Sequence, residues 1–130
     1  MENKKVILCD TDVMIEFYKG NQQVINEFKH IGQQHIAISI VTAAELIYGA
    51  LNKKELQKIN KDIQHLIVYD IEKGICNSFL EIMNMYVLSH KLAIPDALIA
   101  ATAMMYNVKL FTYNVKDFKY IKGLTLYTSL

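Results

Sequence analysis

KKVILCDTDVMIEF, residues 4–17, sets a short apolar run, Val6-Ile7-Leu8-Cys9, against two carboxylates, Asp10 and Asp12. The run is continuous and partly β-branched, the pattern of a strand covered on both faces. From Val13 onward the spacing is helical. A strand that ends on an acid and turns at once into a helix reads as the start of a βα unit. Like charges this close repel, and apolar neighbours make each harder to hydrate. Such a strand needs a reason to carry acids to its tip.

The same alternation continues outward. Strand-like runs occur at 35–40 (HIAISI), 65–69 (HLIVY), 109–113 (KLFTY) and 124–128 (LTLYT). Helical patterns occupy 13–31, as one helix or two, then 43–51, 53–64, 71–91 and 96–107. Together they predict an α/β fold, a twisted parallel sheet of about five strands with helices on both sides. Repeats, low-complexity tracts and linkers are absent, and the single Pro95 lies inside an apolar region, so residues 1–130 read as one domain. Ligands in such sheets bind beyond the carboxyl ends of the strands, where Asp10 sits.

Composition narrows the function classes. The chain is 52% hydrophobic, yet no apolar stretch reaches the ~20 residues of a membrane span. Only four apolar residues follow Lys4-Lys5, too few for a signal peptide, so the expectation is a cytoplasmic protein with no membrane partner. Cys9 and Cys76 form no C-x-x-C pair and read as lone thiols. His30, His35, His65 and His90 lack ligand spacing, which weighs against zinc and against histidine-based ribonuclease chemistry. The net charge of +1 does not advertise nucleic acid. Four acids committed to cations in a cleft would, however, leave the remaining surface basic. That basic charge is lysine, for the chain has no arginine and so no bidentate phosphate clamp.

Each acid has an ordinary explanation. Asp12 precedes VMIEFY and reads as a helix N-cap, with a metal or supporting role as the alternative. Thr42-Ala43-Ala44-Glu45 has the form of a capping box. Asp96 follows Pro95 in a first helical turn, where an acid suits the helix dipole. Asp117, in FTYNVKDF, suits a turn. Their joint placement is harder to explain. Asp10, Glu45 and Asp117 all follow strands at one predicted edge, and Asp96 opens an almost wholly apolar helix leading into the fourth strand. Two carboxylates ~4 Å apart repel by about 4 kcal/mol at an effective dielectric of about 20. Four together need protons or bridging cations, and oxygen-only ligands favour Mg²⁺ or Mn²⁺ over zinc.

CDTDVMI (9–15), VTAAELIYGA (41–50), IPDALIAATA (94–103) and LFTYNVKDF (110–118) resemble, in order, the four motifs of PIN-domain ribonucleases. The likeness is strongest to the VapC toxins of toxin–antitoxin pairs. It implies a three-layer α/β/α sandwich and a metal-dependent endoribonuclease using one or two Mg²⁺ or Mn²⁺ ions. The catalytic and metal-binding quartet carries over to Asp10, Glu45, Asp96 and Asp117. Thr112 and Asn114 become supporting residues that orient the site. Asp12 stands where the family often has Asn or Ser. The implied partners are an RNA substrate and a VapB-like antitoxin, in a homodimer and a toxin–antitoxin hetero-oligomer.

One departure is the missing arginine. Lysines must then meet the phosphates, the candidates being Lys54, Lys58 and Lys61 on one face of 53–64, and Lys116, Lys119 and Lys122 after the fourth strand. The first set also suits a plain solvated helix face. Tyr48, one turn after Glu45, can stack on a base or pack in the core. Three rival readings remain. One is a housekeeping RNA-processing nuclease, and another a catalytically silent PIN-like interaction module, against which all four acids argue. The third is a haloacid-dehalogenase-like phosphatase with Asp10 as nucleophile and Asp12 as acid/base. Met14 stands where that motif wants Thr or Val, and the chain has little room for a cap.

Overall fold

In the computed structural model, which describes residues 5–128, the apolar run becomes β1 (Ile7–Cys9). It pairs in parallel with β2 (Ile36–Ser39) on one side. β3 (Ile67–Tyr69) lies outside β2, and β4 (Lys109–Phe111) pairs with the other side of β1, giving the order β3-β2-β1-β4. Between the strands run α1 (Thr11–Tyr18), α2 (Gln22–Ile31), α3 (Ile40–Tyr48), α4 (Lys53–Gln64), α5 (Lys73–His90) and α6 (Ile94–Met105). Asn21 and Asn52 start α2 and α4 by accepting the first free N–H groups, from Gln23 and Glu55. The 13–31 pattern is thus two helices, with Gly20 at φ 80° in the turn between them.

Alternation along each strand divides the core in two. Val6, Leu8, Ala37 and Leu110 face Ile75 and Ile82 of α5 and Ala97, Ile99, Ala100 and Ala101 of α6. Ile7, Cys9, Ile36, Ile38 and Phe111 face the other way, onto Val13 and Met14 of α1, Val24 and Phe28 of α2, and Ile59 of α4. The result is the expected three-layer sandwich. No described helix is long and apolar enough to cross a membrane.

The fifth strand is a correction. LTLYT, 124–128, makes only an isolated parallel bridge, Leu110 to Leu126, with Leu110 N–H to Thr125 O at 2.9 Å and Tyr127 N–H to Leu110 O at 2.8 Å. The reason is geometric. Alternate residues of a parallel strand bond to opposite neighbours. With three residues in β4 and Phe111 O engaged by the Asp10 N–H, Leu110 alone faces outward. The sheet has four strands.

Leu8 is fully buried at the centre, in register with Ala37 and Leu110. Leu8→Ala should cost about 2–5 kcal/mol through lost burial and a residual cavity. Urea unfolding should show a lower midpoint at unchanged slope.

Candidate active site

After β1 the chain builds β2 and β3 to one side, then returns to place β4 on the other. The strand order therefore reverses between β1 and β4, and a crevice opens beyond their carboxyl ends. Asp10 occupies it. The residue is 4% exposed; its Oδ1 accepts the Thr11 N–H at 2.8 Å and its Oδ2 accepts the Thr112 hydroxyl at 2.8 Å. The Thr112 oxygen in turn accepts the Asn114 N–H at 3.0 Å. Burial, then the charge of Asp12, pushes the Asp10 carboxyl up to about 7, although both donors pull it down.

Asp10, not Asp12, is the N-cap of α1, with extended backbone at φ −68° and ψ 161°. Helical geometry begins already at Thr11, so Asp12 falls inside the first turn. There its Oδ2 accepts the Tyr113 N–H at 3.0 Å. Its Oδ1 is the only buried side-chain polar atom among the described residues without a hydrogen-bond partner. Burial raises the Asp12 carboxyl as well, and the hydrogen bonds, led by that from Tyr113, only partly oppose it.

The Thr42–Glu45 capping box is a second correction. α3 starts at Ile40, and its N-cap is Ser39, whose Oγ accepts the Thr42 N–H at 3.1 Å. Glu45 is exposed and turned toward α1, where its Oε1 accepts the Thr11 hydroxyl at 2.7 Å. Thr11 also lies 3.0 Å from the Thr42 hydroxyl. Thr11, Ser39 and Thr42 form a polar bridge between α1 and α3 that sequence reasoning missed. Its visible signals are a Thr between two acids and a Ser at the end of a strand run.

Asp96 lies half-buried in the first turn of α6, with Pro95 before it. Burial, then the charges of Asp117, Glu45 and Asp12, raises its carboxyl. Asp117 closes a 3-10 turn, Val115–Asp117, after β4, its N–H bonded to Asn114 O at 2.9 Å. Asp10 feels Asp12 and Asp96, and Asp96 feels the other three, so the five acids share one field. None joins an ion pair among the described residues. The donor set is oxygen alone, and the unpartnered buried Asp12 oxygen is the kind of group that a cation satisfies. Among the described residues, no three Asp, Glu, His or Cys side chains converge tightly enough to enclose an ion. A divalent ion bound there would reach part of the set through its own waters.

The expected RNA contacts separate. Lys116 is exposed on the turn beside Asp117, and Lys119 and Lys122 are exposed just beyond it. Lys54 and Lys61 are solvated on α4. Lys58, also exposed, lies 3.3 Å from Asp62 Oδ2 and 5.5 Å from the centre of the Tyr18 ring. Tyr48 is 93% exposed, which removes the core-packing reading. A groove of about 450 Å³ lies between Met14, Phe17, Tyr18, Phe28, Lys58 and Asp62 and includes none of the five acids. Its walls are mainly apolar, with Lys29, Lys58, Asp62 and His65 among them.

Residues 7–124 match the PIN domain family, and the chain belongs to it. A ribonuclease VapC1 of Methanocaldococcus jannaschii is 34% identical, over 93% of this chain and 86% of its own length. Ribonuclease VapC1 of Rickettsia felis is 29% identical, over 94% and 95%. Among solved structures, a toxin–antitoxin complex from Klebsiella pneumoniae contains a chain superposing with a TM-score of 0.79 at 27% identity, covering 95% of this chain and 99% of that one. A second, VapBC2 of Rickettsia felis bound to a promoter DNA fragment, gives 0.76 at 25% identity, covering 94% and 97%.

The raised Asp10 carboxyl has a consequence for stability. Between the ordinary carboxylate value near 4 and about 7, the folded chain holds a proton that the unfolded chain releases. Its stabilising contribution is full below about pH 4 and disappears as pH rises through about 7. In chelator, the melting temperature should climb between about pH 8 and about pH 5.5, and Asp10→Asn should flatten that climb. Parallel slopes for the two proteins in thermal melts would show that Asp10 does not titrate in this range.

Proposed function

We propose that this protein is a divalent-metal-dependent endoribonuclease, the VapC-type toxin of a toxin–antitoxin pair, working as a single PIN domain in the cytoplasm. The observation that carries the proposal is a crevice of five unneutralised carboxylates at the β1–β4 reversal, one of them with an orphaned buried oxygen. Kinship to VapC ribonucleases over nearly the whole chain supports it. Retention of all four motif acids disfavours a silent module.

In this reading Asp10, Asp96 and Asp117 hold the ion or ions, with Glu45 beside them and Asp12 in support. Mg²⁺ or Mn²⁺ bound there supplies a water ionised near neutral pH and positive charge for the leaving oxygen. Thr112, held by the Asn114 N–H, sets the Asp10 carboxylate in one orientation. Glu45, fixed by the Thr11 hydroxyl, accepts the proton of the attacking water. Lys116, Lys119 and Lys122 meet the phosphates beside the last acid, as point charges rather than clamps. We infer further that a VapB-like antitoxin binds this chain and that the toxin forms a homodimer within a hetero-oligomer. Support comes from the complexes of its structural relatives and from apolar side chains such as Leu80, Met85 and Leu88 exposed on α5.

Cleavage of RNA should require Mg²⁺ or Mn²⁺ and leave a 5′ phosphate and a 3′ hydroxyl, because water rather than the 2′ hydroxyl attacks. Cyclic-phosphate ends, or full activity in chelator, would overturn the mechanism. Asp96→Asn removes one repelling charge at nearly constant shape. It should reduce cleavage by about 100-fold or more while leaving the apo protein as stable as wild type. An apo loss of about 2 kcal/mol would instead make Asp96 chiefly a helix-start residue. Wild type produced without an antitoxin should arrest growth, and Asp10→Asn should not. Harmless, well-expressed wild type would favour RNA processing over the toxin role.

A further inference from the structure

Two chain segments leave the acid crevice and meet again outside it. α5 ends at His90, where Lys91 turns the chain with a left-handed φ of 54° toward α6 and Asp96. On the other side, the turn that ends at Asp117 runs on to Tyr120. The imidazole of His90 stacks on the Tyr120 ring with centroids 3.7 Å apart and planes 5° from parallel. Tyr86 supports both edge-on, 5.0 Å from Tyr120 and 5.9 Å from His90. The Tyr86 hydroxyl accepts the Lys122 N–H at 3.0 Å, and Ser89 Oγ lies 2.7 Å from His90 Nδ1. Tyr86 and Tyr120 are half-buried while His90 is exposed. Burial, then the charges of Asp117 and Asp96, raises the Tyr120 phenol, which sets the cluster at the margin of the acids.

A flat ring locked from behind and open to solvent is suited to stacking. Unpaired bases stack on aromatic residues, histidine included, and every base has a face to offer. Lys91, Lys119 and Lys122, all exposed, lie next to these rings in sequence and bring cationic charge for a phosphate backbone. A tie between α5 and the segment at 118–122 would be served by the half-buried Tyr86 and Tyr120 alone. It does not call for a ring laid flat on the solvent side.

We propose that His90, backed by Tyr120 and Tyr86, is a stacking platform for one unpaired nucleobase of an RNA strand whose phosphate lies at the acid crevice. The inference rests on the ribonuclease reading and deepens it, because it selects single-stranded or looped RNA over an intact duplex. Specificity at this position comes from the presence of a splayed base, not from its edge.

The test uses the full chain with Ca²⁺ in place of Mg²⁺, at fixed salt. The probe is a fluorescein-labelled single-stranded RNA of about 12 nucleotides and mixed sequence, with an abasic analogue beside it. Anisotropy should show binding weakened about tenfold by His90→Ala and restored to within about twofold by His90→Phe. The abasic strand should bind wild type as weakly as the intact strand binds His90→Ala, and that variant should not distinguish the two strands. Melting temperatures report whether the variants fold. Unchanged binding by folded His90→Ala, or equal losses in the alanine and phenylalanine variants, would overturn the platform. If wild type still cleaves RNA in Mg²⁺, the ribonuclease reading survives that result. A wild type that neither binds nor cleaves would overturn both.

Discussion

A single buried carboxylate, held between segments 102 residues apart, organises this protein. The Asp10 side chain caps α1 through the Thr11 N–H and reaches across the strand-order reversal to the Thr112 hydroxyl. Burying a charge requires compensation, and an opposite charge is the usual source. Here two neutral dipoles supply part of it, and the carboxyl stays raised to about 7. They orient the carboxylate without cancelling its field, so the negative potential remains in the crevice and adds to that of Asp12, Asp96, Glu45 and Asp117.

The helices make this tolerable. α6 packs Ala97, Ala100, Ala101 and Ala103 without residual exposure, so its first turn can bring Asp96 close to the sheet edge. α1 and α3 are linked through the Thr11 hydroxyl, which meets the Thr42 hydroxyl and the Glu45 carboxylate and brings no charge of its own. The scaffold around the acids is therefore apolar or neutral. Its rigidity comes from packing on both faces of the sheet. Charge is concentrated where the strands end, as expected when site residues are destabilising and the surrounding fold compensates for them.

The legible parts of the sequence were those set by local pattern. Continuous apolar runs located four strands to within a few residues, 3.6-residue spacing gave the bounds of α4 to the residue, and four acids beside strand ends marked one edge. What remained hidden depends on partners distant along the chain. LTLYT has the composition of a strand, but β4 offers it one outward residue. Asp10 and Asp12 are the same residue type two positions apart, and only the backbone ψ at Asp10 decides which one caps. HIAISI reads as a strand to its end, which hid Ser39 as the N-cap and moved the apparent start of α3 three residues too late. The His90–Tyr120 stack joins rings 30 positions apart, with no periodicity to reveal it.

The absence of arginine connects the acids to the rings. A guanidinium fork fixes both the position and the orientation of a phosphate, whereas an ammonium fixes position alone. In the ribonuclease reading, Lys116, Lys119 and Lys122 draw the backbone toward the crevice but leave the strand free to rotate about each phosphate. In-line attack needs that freedom removed, since catalysis depends on alignment as well as approach. A planar contact supplies the missing constraint, because a stacked base fixes the sugar, and the sugar limits the adjoining phosphate. His90 on Tyr120 offers such a plane beside the two segments that carry Asp96 and Asp117. In that reading, lysine charge and aromatic stacking divide between them what an arginine fork would do alone.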